Sequence, residues 1–195
     1  MRKPNIAVLG ATGVVGREIL KILVEDNVQY NEIKFLASAK SAGKTIEFKG
    51  EKHTIIEATP EAFENVNIVL ASAGGSTSLK LASEAVKRGA VYIDNSSAFR
   101  MENDIPLVVP EVNAEDALNR PHGIIANPNC TTIQMVVALK AIENLTHIKR
   151  VHVSTYQAAS GAGAAAMDEL YEQYRQVLAG EPVTVEKLSL IHISE

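Results

Sequence analysis

The chain has 195 residues, enough for one large domain or one and a part, and 46% are hydrophobic, so a sizeable core is within reach. A net charge of −4 argues against nucleic acid as the main partner, and the single cysteine excludes an internal disulfide and fits a reducing compartment. No apolar run approaches a membrane span and the N-terminus lacks a signal-peptide pattern, so the expectation is a cytoplasmic protein without a membrane partner.

Residues 5–9 (NIAVL) are an apolar, β-branched run between Pro4 and Gly10, which reads as the first strand of a buried parallel sheet. Gly10-Ala11-Thr12-Gly13-Val14-Val15-Gly16 follows at once, and residues 17–26 carry Ile19, Ile22 and Leu23 at helical spacing. Residues 33–37 are the next strand, which completes a strand, glycine turn, helix and strand in order. The glycine spacing, G-x-x-G-x-x-G, varies the dinucleotide-binding pattern. Gly13 would let backbone approach a pyrophosphate, Thr12 adds a hydroxyl, and the helix N-terminus adds N–H groups. The plainer alternative is a turn whose glycines serve only helix–strand packing.

A NAD site carries an acid near the end of the second strand, on the ribose 2′-hydroxyl. Residues 38–44 (SAKSAGK) hold no acid but offer Ser38, Ser41, Lys40 and Lys44. That set suits a 2′-phosphate and hence NADP over NAD; the alternative is a solvated basic loop.

Residues 45–57 read as a hairpin about Lys49-Gly50-Glu51, Pro60 opens a short helix, and residues 67–71 are a buried strand. Residues 72–78 (SAGGSTS) read as a second small-residue loop before a helix from about Leu79 to Lys87. Ser72, Gly74 and Gly75 there would form a second wall of the cofactor crevice. Residues 90–94 form a further strand, and a polar turn then ends in Arg100. Residues 106–113 read as extended between prolines, and 114–118 as a short helix.

Residues 123–126 (GIIA) are a short strand that leads into Asn127-Pro128-Asn129-Cys130-Thr131-Thr132, and a helix follows over 131–142. A thiol at such a junction meets free N–H groups and the positive end of the helix dipole, which favours the thiolate. The same N–H groups could hold an oxyanion. A buried structural cysteine fits the hexapeptide equally well.

Residues 151–157 alternate as a strand of a second, half-covered sheet, and 160–163 form a flexible turn. Residues 164–178 are a helix with Met167, Leu170, Tyr171, Tyr174 and Leu178 as its apolar stripe, for core or subunit interface. Gly180 is its left-handed cap.

Together GATGVVG (10–16), FLASAKSAGK (35–44), NSSAFR (95–100), VVPEVN (108–113), NPNCTT (127–132) and STYQAASGAG (154–163) resemble the bacterial-type aspartate-semialdehyde dehydrogenases. The resemblance implies an α/β fold: a Rossmann-type doubly wound parallel sheet, followed by the first part of an α+β catalytic and dimerisation domain. The expected domains are 1–127 and 128–195. It implies NADPH-dependent conversion of aspartyl phosphate to aspartate semialdehyde and phosphate, within lysine, threonine, methionine and diaminopimelate biosynthesis. It also implies a homo-oligomer, dimer or tetramer, when complete, and no metal.

By resemblance Cys130 is the nucleophile that forms a thioester, Asn129 sets the cysteine loop, Gln157 orients substrate and Arg100 binds the phosphate. For Arg100 the alternative is a surface ion pair. Thr12, Gly13, Val14, Val15, Ser38, Lys40, Ser41 and Gly75 match the family's NADP contacts, and Gly10, Ser72, Gly74, Ser160 and Gly161 complete the expected cofactor set. The family's acid/base histidine and carboxylate-binding arginine have no match, since His53, His122, His147, His152 and His192 all lie off that motif. Residues 188–195 resemble nothing in the family. The expectation is an incomplete chain that binds NADP and turns over poorly or not at all. The alternatives are a non-catalytic NADP-binding module or a relative of N-acetyl-gamma-glutamyl-phosphate reductase.

Overall fold

The computed structural model describes residues 3–186 and 188, so all but Leu188 of the segment 188–195 lies outside the described residues. The chain forms two compact units that meet in sequence between Thr146 and His147. The boundary read from sequence, 127/128, falls earlier and would divide the cysteine helix from the strands before it.

In the first unit, strand β1 (Asn5–Leu9) alternates between two cores. Ile6 and Val8 join Leu20 and Leu23 of helix α1 (Val14–Glu25) on one face. Ala7 and Leu9 join Ala82 and Ala85 of helix α2 (Gly75–Lys87) on the other. The remaining strands are β2 (Glu32–Ala37), β3 (Thr45–Phe48), β4 (Glu51–Thr54), β5 (Ile56–Glu57), β6 (Ile68–Ala71), β7 (Val91–Asp94) and β8 (Ile124–Ala126). Six of them make a sheet in the order β5-β2-β1-β6-β7-β8, every pair parallel, so the expected doubly wound sheet is present. The strand order reverses beside β1, which leaves a crevice at the carboxyl ends of β1 and β6.

The predicted hairpin is β3–β4. Lys49 and Gly50 both have positive φ, 53° and 79°, as a two-residue turn matched to strand twist requires. Strand β5 had no sequence signal. It is two residues long and exists by pairing Leu36 and Ala37 of β2.

Strands β6, β7 and β8 are covered unevenly. Val69, Ala71, Tyr92, Asp94, Ile124 and Ala126 are buried toward the α2 face, while Ile68, Leu70, Val91, Ile93 and Ile125 are only half-buried. An all-parallel sheet normally carries helices on both faces. Helix α1 packs over β1 and β2 and reaches Leu70 of β6, and its own Val15 and Ile22 remain exposed.

Three expected elements differ. Helix α2 starts at Gly75, not near Leu79. Gly74, at φ 85°, ends the loop, and Ser78 is buried in the first turn on a hydrogen bond to Asp94. Residues 110–113 are not extended but form the short helix α3 (Pro110–Asn113), which Pro110 opens at its first turn. The Asn113 side chain closes it by accepting from Val109 N–H and donating to the Leu107 carbonyl. Residues 151–157 form no strand. Alternation supplies faces but no ladder partner, and among the described residues none is offered; Tyr156 is 100% exposed.

The first unit also contains helix α4 (Cys130–Glu143). In the second unit a 3₁₀ turn (Ala159–Ala162) precedes helix α5 (Ala164–Ala179). As expected, Gly180 at φ 70° caps α5, and the Glu181 N–H returns to the Gln176 carbonyl. Residues 181–186 run back along α5, fastened by Thr184 to Gln173 and Gln176 and by the Glu186 N–H to Glu169. Tyr171, Tyr174 and Leu178 are exposed, so this part of the stripe is not core within the chain. No helix among the described residues is long and apolar enough to cross a membrane.

Candidate active site

The crevice at the ends of β1 and β6 holds about 460 Å³. Of the expected cofactor residues, Gly10, Thr12, Gly13, Ser38 and Ser72 line it. The glycines have distinct tasks. Gly10 has φ 84°, and a Cβ there would lie 2.8 Å from the Ser72 carbonyl oxygen, so only glycine lets the two loops meet. At Gly16 a Cβ would come within 2.1 Å of the Gly10 carbonyl oxygen, which makes the third glycine a packing residue. Gly13 is different. A Cβ there would meet only the Gly10 oxygen, at 3.4 Å, so the protein does little to require a bare position. Packing accounts for Gly10 and Gly16 but leaves space before Gly13 for a ligand. No side chain caps α1, so the N–H groups of Val14 and Val15 remain available to an anion.

Lys40 and Ser41 sit in a turn closed by Ser41 N–H on the Ser38 carbonyl at 2.8 Å, outside the crevice lining. Gly74 and Gly75 begin α2. Val15 faces a second groove, of about 320 Å³, shared with Asn95 and Asn127. Sequence reasoning missed Glu57, Thr77 and Lys80 in the first crevice. Glu57 is an acid beside the end of β2, as a NAD site would require, but it arrives from β5 and not from the expected sequence position. Hydroxyls, a lysine and a free helix end together fit a phosphorylated nucleotide.

Arg100 is not a surface ion-pair residue. Among the described residues no carboxylate pairs with it. Its Nε donates to the Asn127 carbonyl at 2.9 Å and its Nη2 to the Asn95 carbonyl at 3.1 Å. Asn127 Nδ2 donates to Asn95 Oδ1 at 2.6 Å, which joins the two supports. Nη1 is left without a protein partner among the described residues. A guanidinium held by carbonyls on one side keeps a fork open to an anion on the other.

Three residues after Asn127, Cys130 is the first residue of α4 and is exposed, so the buried structural alternative falls. Asn129 is the helix cap. Its Oδ1 accepts from Thr131 N–H at 3.0 Å and Thr132 N–H at 3.4 Å, and from the Thr131 hydroxyl. Its carbonyl accepts the Ile133 N–H. The free N–H groups expected for an oxyanion are therefore largely used by Asn129, and among the described residues the one left is that of Cys130.

Beneath Arg100 lies a buried polar chain. Tyr92 OH donates to Ser78 Oγ at 3.2 Å, Ser78 to Asp94 Oδ1 at 2.5 Å, and Ser96 to Asp94 Oδ2 at 2.6 Å. Burial pushes the Tyr92 hydroxyl up to about 12, and the charge of Asp94 adds to it. Gln157, Ser160 and Gly161 belong to the second unit, where the Gln157 amide lies against Gly161.

Residues 5–120 match the semialdehyde dehydrogenase NAD binding domain, and residues 139–192 the semialdehyde dehydrogenase dimerisation domain, which reaches into the segment 188–195. Over 182 residues the chain is 54% identical to an aspartate-semialdehyde dehydrogenase of Bacillus subtilis, a match that covers 93% of this chain and 52% of that protein. A crystal structure of aspartate semialdehyde dehydrogenase II complexed with ASA, from Vibrio cholerae, matches with a TM-score of 0.89 at 45% identity, over 97% of this chain and 56% of that one. A structure from Candida albicans with NADP matches with a TM-score of 0.64 at 26% identity, over 74% of this chain and 48% of that one. The chain spans about half the length of the curated relatives it matches. It belongs to the semialdehyde dehydrogenase family.

Proposed function

We propose that the chain carries the cofactor site and the nucleophile of a cytoplasmic, NADP-dependent aspartate-semialdehyde dehydrogenase. The observation that carries this reading is the exposed Cys130 at the start of α4, three residues after the Asn127 carbonyl that holds Arg100. In the reductive direction the Cys130 thiolate attacks the acyl carbon of aspartyl phosphate. The acyl–oxygen bond breaks, phosphate leaves toward the free edge of Arg100, and a thioester forms on sulfur. The Cys130 N–H is the donor available to the carbonyl oxygen as it gains charge. NADPH, when bound, would supply the hydride that reduces the thioester; the carbon–sulfur bond then breaks, which releases the aldehyde and returns Cys130 as the thiolate. Gln157 orients the substrate's amino-acid end. Thr12, Gly13 and the open turn of α1 receive the pyrophosphate, and Gly74 and Gly75 form the far wall. Ser38, Lys40 and Ser41 favour NADP over NAD. The names of the relatives and the NADP in the Candida albicans structure support this assignment.

The test is chemical protection. Iodoacetamide should alkylate Cys130 in the native chain, and aspartyl phosphate should slow that reaction where free aspartate does not. Labelling that needs denaturant, or equal protection by aspartate, would remove Cys130 as the acyl acceptor and leave a nucleotide-binding module.

A further inference from the structure

We propose that Asp94 is a positioning residue for the anion site: through Ser96 and Asn127 it sets the loop and the carbonyls that aim Arg100. The proposal rests on the reading of Arg100 as the phosphate ligand.

Asp94 ends β7 and is 0% exposed, and no lysine, arginine or histidine pairs with it among the described residues. A buried carboxyl group without a cation is costly unless its oxygens are hydrogen-bonded. Here each oxygen takes one hydroxyl, from Ser78 in α2 and from Ser96 in the turn ahead of Arg100. Ser96 Oγ in turn accepts the Ala98 N–H at 3.1 Å, so the carboxyl group fixes the turn 95–98 from beneath. The backbone of Asp94 acts toward the same end. Its carbonyl accepts the Asn127 N–H at 2.8 Å, and Asn127 is the residue whose carbonyl holds Arg100 Nε. Both carbonyls on which the guanidinium rests therefore adjoin Asp94, one through the chain and one through the β8 end. Gly75, the first residue of α2, lies beside Ser96 and Ala98: a Cβ there would stand 3.9 Å from Ser96 Oγ and 3.8 Å from Ala98 Cβ. The Ser78 arm thus anchors the carboxyl group to the helix against which the turn rests.

Burial alone would be served as well by an apolar side chain, and a hydroxyl network this specific selects one geometry. Asparagine in place of Asp94 keeps the shape but turns one acceptor into a donor, which then faces a hydroxyl already arranged to donate.

The experiment uses the 195-residue chain saturated with NADP, so that the nucleotide-phosphate positions are filled. Inorganic phosphate is titrated and followed by ³¹P line broadening. Wild type should bind phosphate, and Arg100→Ala should lose it. Asp94→Asn and Ser96→Ala should each weaken phosphate about tenfold, Ser96→Thr should restore it, and NADP affinity should stay within about twofold. Ser96→Ala, at a half-buried site, keeps the test open if Asp94→Asn does not fold. If Arg100→Ala binds phosphate as wild type does, the Arg100 reading fails and this proposal with it. If Arg100→Ala loses phosphate while Asp94→Asn and Ser96→Ala bind it normally, the Asp94 proposal alone is overturned. Parallel loss of NADP and phosphate in Ser96→Ala would also overturn it, since Asp94 would then hold only the fold.

Discussion

Tyr92 is a residue whose ionisation the fold opposes. Its hydroxyl is buried on Ser78, and its folded pKa of about 12 lies above its ordinary 10. A raised pKa means that the neutral form is the one folding favours. The associated stability is complete below pH ~10, of order 2 kcal/mol, and is lost as pH climbs through the folded value. Tyr92→Phe should therefore remove the latest phase of tyrosinate absorbance and extend alkaline stability, at a cost of about 1 kcal/mol near neutrality for the lost hydrogen bond. A wild-type chain with no tyrosine titrating late would refute this. The proposed role of Lys40 in cofactor choice is tested at the same scale. It is exposed in the turn after β2, and Lys40→Ala should weaken NADP by about 1–3 kcal/mol more than NAD. Equal loss for both in a fluorescence titration would reduce Lys40 to general steering.

Helix α4 depends on its first turn more than on burial. It is rich in apolar residues, from Ile133 through Ile142, yet none of its side chains is buried. An apolar helix without a buried face gains little from packing, so its cap weighs more. Asn129 satisfies the Thr131 and Thr132 N–H groups through one side-chain oxygen. Asn129→Ala should destabilise the first unit by about 1 kcal/mol in urea unfolding, and Asn129→Asp should recover most of that. No change with alanine would show that the N–H groups are satisfied otherwise. The same cap determines which donor is left for an oxyanion, so the local rule that stabilises the helix also shapes the chemistry proposed for Cys130.

At the scale of the whole molecule, apolar surface is left uncovered in both units. In the first it is the half-buried face of β6, β7 and β8 together with Val15 and Ile22; in the second it is Tyr171, Tyr174, Val177 and Leu178 of α5. Continuous apolar surface of this kind drives association. The strand expected at 151–157 is absent, so association does not require a sheet edge there. The 195-residue chain should scatter light as an oligomer or bind a hydrophobic dye at micromolar concentration. A monodisperse monomer that leaves the dye unbound would contradict this expectation.

NIAVL between a proline and a glycine, the helical spacing after GATGVVG, the Lys49-Gly50 turn and the Gly180 cap are all local signals, and each formed as read. They depend on backbone conformation and side-chain period within a few residues, which sequence alone determines. The alternation at 151–157 was just as clear and produced no strand, because a ladder needs a second strand that no local pattern supplies. The family motifs marked Arg100 and Cys130, but not what holds the Arg100 guanidinium in place. Its supports are carbonyls 5 and 27 residues away, brought together by the register of β7 and β8. Glu57 reaches the crevice through a two-residue strand with no sequence signature. Ser78 and Asp94, 16 residues apart, meet only because α2 packs back on β7. Composition and period determined the elements and the cofactor turn. Strand order and register, set by burial of the α2 face as a whole, decided which polar groups face one another.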